Sequence, residues 1–306
     1  MRSEAQPSEA KVRPVSATVI ALVLFSALLH AAWSASIKGS LHPLAFTLGQ
    51  HLLVLPLAIL GVASVAGELL TPRLLACAAG TAIAHGLYGY WLALALERAE
   101  LTLAYPIVRS TPALLPLLAV PVLGETPSLL GAAGIAVVVG GIWLVHGRGL
   151  RLGALGAPAL RYAWLTLLAT VGYSLSDKAA MTALASGGYR GWLPPALVWY
   201  CVIVVSSTAV FLPLAFRRVR RADLERTFRA EGWRAAAAVA VSLLGYGLIL
   251  AAFEHAPASY VVAVRQSSVL FAAWIGIAFL GERPDRARLV GAAATVAGVA
   301  LIGLGG

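Results

Sequence analysis

Two arginines stand inside stretches that are otherwise apolar: Arg109 ends Tyr105-Pro106-Ile107-Val108-Arg109, and Arg265 lies in Val264-Arg265-Gln266-Ser267-Ser268-Val269-Leu270-Phe271. At membrane depth an ionisable side chain costs several kcal/mol unless it faces a polar hollow or a partner, so each is a candidate functional position. A guanidinium stays charged and offers forked hydrogen bonds that match a carboxylate or a tetrahedral phosphonate. The chemistry these residues predict is recognition of a solute bearing an anionic group. Tyr105 precedes Arg109 by four residues and Ser268 follows Arg265 by three, spacings that share a helix face, and Gln266 adjoins Arg265; all three are candidate second contacts. The competing role for each arginine is to satisfy helix carbonyls or cap a neighbouring helix. Pro112 removes the donor that would bond the Val108 carbonyl, and Pro116 acts one turn on, so the helix is expected to open beside Arg109.

A second polar set comprises His30, Trp33, Ser36 and Lys38 together with Tyr173, Ser176, Asp177 and Lys178. Trp33 and Tyr173 are placed either to clamp an apolar or aromatic part of a solute or to anchor at the membrane interface. Asp177 is the carboxylate that falls well within an apolar stretch, and His30 is the deepest imidazole of this set; these two are the candidates for carrying a coupling proton, with a contact to Lys178 as the simpler role for Asp177. Lys38 and Lys178 are expected near helix ends, with their stems snorkelling to headgroups. Tyr88 and Tyr246, flanked by Gly86, Gly89, Gly245 and Gly247, are expected to reach a cavity with a hydroxyl while the glycines permit close helix approach. Glu97, Glu254, Glu125 and Glu282 fall at helix ends and read as turn residues.

Catalytic groupings are absent from the sequence. It holds no His-Glu-x-x-His, no Gly-x-Ser-x-Gly and no carboxylate dyad within the apolar stretches. Cys77 and Cys201 are distant in sequence, without His or Cys at ligand spacing, and read as packing residues. The expectation is a protein that is not an enzyme, with no metal and no cofactor.

The elements that must position these residues follow from composition. Of 306 residues, 60% are hydrophobic and 12% charged, against about 25% charged in soluble domains. A bilayer core about 30 Å thick needs roughly 20 apolar residues per helix. The chain supplies them near residues 17–37, 43–65, 74–96, 102–123, 128–146, 162–183, 193–216, 234–253, 258–280 and 287–305. The stretches are continuously apolar and rich in Ala and Leu rather than alternating, which favours helices over a membrane barrel. The predicted fold class is an all-α membrane protein of ten transmembrane helices. Residues 1–16 are polar and are followed by no convincing cleavage site, so no processing is expected. The net charge of +10 resides mainly in inter-span arginines, where orientation and anionic headgroups account for it and nucleic acid does not.

The chain also repeats itself. At an offset of 157, Glu97 matches Glu254, Gly124-Glu125 matches Gly281-Glu282, Pro127 matches Pro284, Gly134 matches Gly291 and Gly141 matches Gly298. Upstream, at an offset of 140, Trp33-Ser34-Ala35-Ser36-Ile37-Lys38 resembles Tyr173-Ser174-Leu175-Ser176-Asp177-Lys178, and the Arg-rich segment at 217–234 reads as the insertion between the blocks. Five spans per half is an odd number, so the second half enters the membrane from the opposite side. The expected layout is two inverted five-helix repeats: residues 1–146 with an N-terminal tail, a linker at 147–161, and residues 162–306. Such repeats place a binding site near the midplane and expose it alternately to each side. The predicted function is a secondary transporter; the alternatives are efflux of drugs or cationic compounds, or a channel-like or non-transporting membrane subunit.

On the carrying residues His30-Ala31-Ala32-Trp33-Ser34 with Lys38, Tyr105-Pro106-Ile107-Val108-Arg109, Gly124-Glu125, Val264 to Phe271 and Gly281-Glu282, the chain resembles the EamA-type branch of the drug/metabolite transporter superfamily along nearly its whole length. The Tyr-Pro-x-x-Arg and Arg-x-x-Ser-Val-Leu-Phe pair is similar to a subgroup labelled as associated with phosphonate utilisation. The resemblance implies a ten-helix basket with a central cavity that moves amino acids, organic acids or other small metabolites across a bacterial inner membrane. The expected partners are a small-molecule solute and membrane lipid; one chain holds both halves, so a monomer suffices and a homodimer stays open. Charge and resemblance disagree on orientation. Fifteen Lys and Arg fall on the side of the 217–234 segment and five on the other, which puts both termini outside, whereas the resemblance implies cytoplasmic termini. A C-terminal fusion to a reporter active only in the cytoplasm is predicted to stay silent on the charge argument; activity would overturn that argument.

Overall fold

The computed structural model describes residues 15–98, 101–146, 156, 158–271 and 286–305. These residues form α1 (Ala17–Lys38), α2 (Pro43–Ala63), α3 (Ala66–Leu69), α4 (Pro72–Arg98), α5 (Leu101–Val108), α6 (Thr111–Leu123), α7 (Leu129–His146), α8 (Arg161–Ser186), α9 (Pro195–Phe216), α10 (Arg221–His255), α11 (Ala258–Arg265) and α12 (Arg286–Gly305). No strand occurs among the described residues. The protein is an all-α membrane protein. Its long apolar stretches are Ala17–Ile37, Pro43–Ala63, Pro106–Leu123, Pro195–Phe216 and Arg221–His255, each sufficient to cross a bilayer. α4 and α8 are of similar length, but Thr81, His85, Thr166, Thr170, Ser174 and Asp177 make them less apolar.

Three elements differ from the sequence-based boundaries. The stretch expected as one helix over 102–123 is two: α5 ends at Val108, Arg109 and Ser110 form a turn, and Pro112 lies in the first turn of α6, where its missing N–H has no cost. Trp143 of α7 braces this break by donating to Ser110 Oγ at 2.9 Å, and Ser110 Oγ donates to the Pro106 carbonyl at 2.6 Å. The stretch expected over 258–280 also breaks, at Gln266 and Ser267, before the chain turns helical again at 268–271; residues 272–280 and Gly281-Glu282 lie outside the described residues.

The third difference is α10, which begins at Arg221 rather than near 234. The Arg-rich segment is helical because its charges pair at helical spacing, Arg221 and Arg229 both reaching Glu225. It is also tied down. Glu231 is buried, pairs with Arg234 and accepts from the Leu41 amide at 3.0 Å, and the Phe228 ring lies where a side chain on Gly49 would stand. In the expected 147–161 linker, Pro158–Leu160 form a 3-10 turn and Arg161 already starts α8, while 147–155 and 157 lie outside the described residues.

α7 packs against α12 along glycines. A Cβ on Gly134 would stand 2.7 Å from the Gly298 carbonyl oxygen, and one on Gly298 the same distance from that of Gly134; Gly141 and Gly291 are related identically at 2.7 Å. Each glycine therefore faces the counterpart of the other repeat glycine, the pattern of an antiparallel, self-complementary helix pair. Replacing Gly141 by Ala is predicted to lower the thermal midpoint in detergent by several degrees, corresponding to about 1–3 kcal/mol of overpacking. Gly140→Ala, whose Cβ meets nothing within 4 Å, is predicted to leave the midpoint unchanged or raise it, and equal effects would contradict the glycine seam.

Candidate functional site

α1, α2, α4, α8, α9, α10 and α11 enclose a cavity of about 160 Å³, equivalent to about five water molecules. α11 sets its charged wall. The Glu125 carboxylate, on the segment after α6, accepts from the Ser259 amide at 3.1 Å and its hydroxyl at 2.6 Å, and from the Ala258 amide, so it caps the first turn of α11. Arg265 ends the same helix about 10 Å further on. Lys178 of α8 donates to the Phe253 carbonyl and, at 2.9 Å, to that of Ala256, so it caps the end of α10 instead of snorkelling to headgroups. The α10–α11 corner is thus held by one carboxylate and one ammonium.

From Arg265 a continuous set of contacts runs into the bundle. Its guanidinium lies 5.0 Å from the centroid of the Tyr246 ring and 3.5 Å from His30 Nδ1. His30 stacks on Trp33, with centroids 5.5 Å apart, and the Trp33 indole donates to Gln50 Oε1 at 2.8 Å. Behind Tyr246 stands Asp177, with no exposed surface. Its Oδ1 accepts from Thr81 Oγ1 at 2.7 Å and Trp199 Nε1 at 2.9 Å; its Oδ2 accepts from the Tyr246 hydroxyl at 2.5 Å and meets His85 Nε2 at 3.0 Å. The His85 ring stacks on Tyr173 at 4.0 Å, and Tyr173 meets Tyr88 edge-on at 5.6 Å.

Six of the residues singled out in the sequence line this cavity: His30, Trp33, Tyr88, Tyr173, Tyr246 and Arg265. Asp177 lies directly behind the wall, bonded to α4, α9 and α10 rather than to its neighbour Lys178. Arg109 and Ser268 stand outside the lining and meet each other, Arg109 Nη1 donating to Ser268 Oγ at 3.4 Å, so the two helix breaks touch. Gln266 is buried at its break; its Oε1, with Thr111 Oγ1 and Ser267 Oγ, has no hydrogen-bond partner among the described residues. Ser36 bonds its own helix at the Trp33 carbonyl. The side chains of Tyr105, Lys38 and Glu97 lie outside the described residues.

Four participants escaped the sequence reading: Thr81, His85, Gln50 and Trp199. A signal existed for two of them, because Thr81, His85 and Tyr88 recur at spacings of four and three, which is one helix face. Gln50 and Trp199 recur at no helical spacing with other singled-out residues, and only the packing of α2 on α1 and of α9 on α8 gives them partners.

Residues 162–304 match the model of the EamA-like transporter family. The chain is similar to this family over that C-terminal stretch. No curated protein matches it. A solved crystal structure shares the fold with a TM-score of 0.66 and 17% identity, covering 94% of this chain and 98% of that one. The matched region carries Tyr173, Asp177, Trp199, Tyr246 and Arg265, while His30, Trp33, Thr81, His85 and Tyr88 come from the residues before it. Removing one donor to a buried carboxylate costs about 1–3 kcal/mol. Thr81→Val and Trp199→Phe are each predicted to lower the thermal midpoint by that much stability, and a neutral result for both would remove Asp177 from the role of structural hub.

Proposed function

We propose that this protein is a secondary transporter in a bacterial inner membrane, moving a small metabolite with an anionic group, such as an amino acid, organic acid or phosphonate. Its layout is ten spans in two inverted five-helix repeats, 1–146 and 162–306, joined by the linker 147–161. The reciprocal glycine seam of α7 and α12 supports the inverted repeat, since each contact joins non-equivalent positions of the two halves. The meeting of two helix breaks at Arg109 and Ser268 supports it too.

The observation that carries the anionic reading is Arg265. It is the one arginine or lysine among the lining residues, and among the described residues it has no carboxylate partner. The single buried carboxylate nearby, Asp177, is occupied by other donors. A solute carboxylate or phosphonate supplies the missing counter-charge, and Trp33, Tyr88, Tyr173 and Tyr246 offer faces for its organic part. A cationic drug meets a fixed like charge at the same wall, which disfavours the efflux alternative.

The test is a thermal-shift screen of the purified protein against amino acids, organic acids, phosphonates and cationic drugs, repeated with Arg265→Gln and Arg265→Lys. Anionic solutes are predicted to stabilise the wild type. Arg265→Gln is predicted to weaken their binding about 10–100-fold, the loss of one or two charge-assisted hydrogen bonds. Arg265→Lys should fall between, since it keeps the charge and loses the fork. Stabilisation by cations alone would overturn the proposal.

A further inference from the structure

The geometry points to the Asp177–His85 pair as a proton-binding site whose occupancy loosens the bond from Tyr246 that ties α10 to α8 beside the cavity. This rests on the transporter reading of the cavity and adds the ion that drives it. The partner of Asp177 is the first reason. A buried carboxylate facing Arg or Lys is fixed in charge, whereas here the ion-pairing group is a histidine at 3.0 Å, the side chain whose charge changes at physiological pH. Asp177 has no exposed surface and His85 lines the cavity, so the imidazole stands between cavity water and the carboxylate.

Position is the second reason. The lining residues Thr47 and Gln50 of α2 and Tyr88 of α4 belong to the halves of those helices nearest the 39–42 and 217–220 connections, while Tyr200 of α9 and Tyr246 of α10 lie in the opposite halves. Those connections lie together at one end of the bundle, where Leu41 bonds Glu231 and Arg218 bonds Tyr90. Thr81, Trp199 and Asp177 fall in the opposite halves of α4, α9 and α8, where Lys178 and Glu125 also clamp the α10–α11 corner. Three helices are therefore tied to α8 through one carboxylate directly behind the cavity wall.

The proton balance is simple. Ionised Asp177 accepts only, so Nε2 of His85 is the donor. A proton from cavity water adds to the other ring nitrogen, the Nε2 proton passes to Oδ2, and His85 is left neutral with Asp177 protonated. Oδ2 then donates its new hydrogen back to His85 Nε2, so that tie persists with its direction reversed, Thr81 and Trp199 keep their bonds to Oδ1, and the bond from Tyr246 loses its ionised acceptor, which loosens α10 from α8. The titratable and charged groups around the pair are Cys77 on α4, Tyr246 on α10, Tyr173 on α8 itself, His51 on α2 and, across the Tyr246 ring, Arg265 on α11; α9 presents the non-titrating Trp199.

The experiment needs no solute, so its failure is separable from failure of the transport reading. Wild type and Asp177→Asn are reconstituted in lipid, labelled with ¹³C-aspartate, and compared by infrared difference spectroscopy between about pH 8 and pH 5. A protonated-carboxyl band of aspartate is expected to appear on acidification in the wild type and to be missing in Asp177→Asn. Asparagine mimics the protonated state, so amide exchange in the peptide holding Tyr246, corrected for intrinsic rate, should be several-fold faster in Asp177→Asn at the higher pH and equal to wild type at the lower. His85→Gln keeps the carboxyl and removes its proton partner; its band is expected at a different pH. No band, an equal band in Asp177→Asn, a band unmoved in His85→Gln, or no exchange difference at the higher pH would overturn the inference.

Discussion

An ionised carboxylate inside a lipid-embedded bundle is tolerable only when protein dipoles replace its water. Isolated in a medium of low dielectric it would cost far more than the total stability of a folded domain. Asp177 meets this constraint with two donors on each oxygen, drawn from α4, α9 and α10. The rest of the inner architecture follows. Thr81 and His85 must turn inward, so the polar face of α4 packs on α8; Trp199 must reach across from α9; and Tyr246 must point its hydroxyl at the carboxylate, which leaves its ring to receive Arg265. A single buried charge thereby decides which faces of four helices meet.

The same constraint explains what was legible in the sequence. Helix positions were, because lipid demands long apolar runs wherever a helix crosses, and α1, α2, α7 and α9 begin and end within a few residues of the expected boundaries. Arg265, Tyr246, Tyr173 and Trp33 were legible because charge or aromatic rings in such runs stand out and recur across the repeat. Asp177 stood out as a charge, but its partners Thr81, His85 and Trp199 did not. The members of this cluster lack repeat counterparts of the same kind: at an offset of 157 His85 faces Ser242, and at 140 Asp177 faces Ile37. Symmetry therefore gave no cue, and an isolated His or Trp in an apolar helix discloses its partner only through tertiary packing. The break after Arg265 was hidden for another reason, since no proline marks Gln266 or Ser267 as Pro112 marks the break beside Arg109. The Arg-rich segment read as an insertion because charge density masked its helical i, i+4 pairing.

The two parts of the chain contribute unequal side chains to the cavity. The N-terminal part supplies the imidazole of His85 with Trp33 and Tyr88; the EamA-matched part supplies Tyr173, Tyr200 and Tyr246, the carboxylate and the guanidinium. Polar contacts across such a boundary suit a protein whose two bundles part and rejoin, because water can replace a hydrogen bond when the contact opens, whereas the glycine seam of α7 and α12 is close-packed and offers no such exchange. Motion is expected around the cavity and not along that seam.

The central claim is that one cavity within one chain is presented to each side of the membrane in turn. Counterflow measures this directly. Vesicles containing the protein are loaded with an excess of an unlabelled anionic solute that the purified protein binds, then diluted into a trace of the same solute in radiolabelled form. The account predicts a transient overshoot of label above its equilibrium level and an exchange rate that saturates with concentration. Linear, unsaturable flux without overshoot would contradict it.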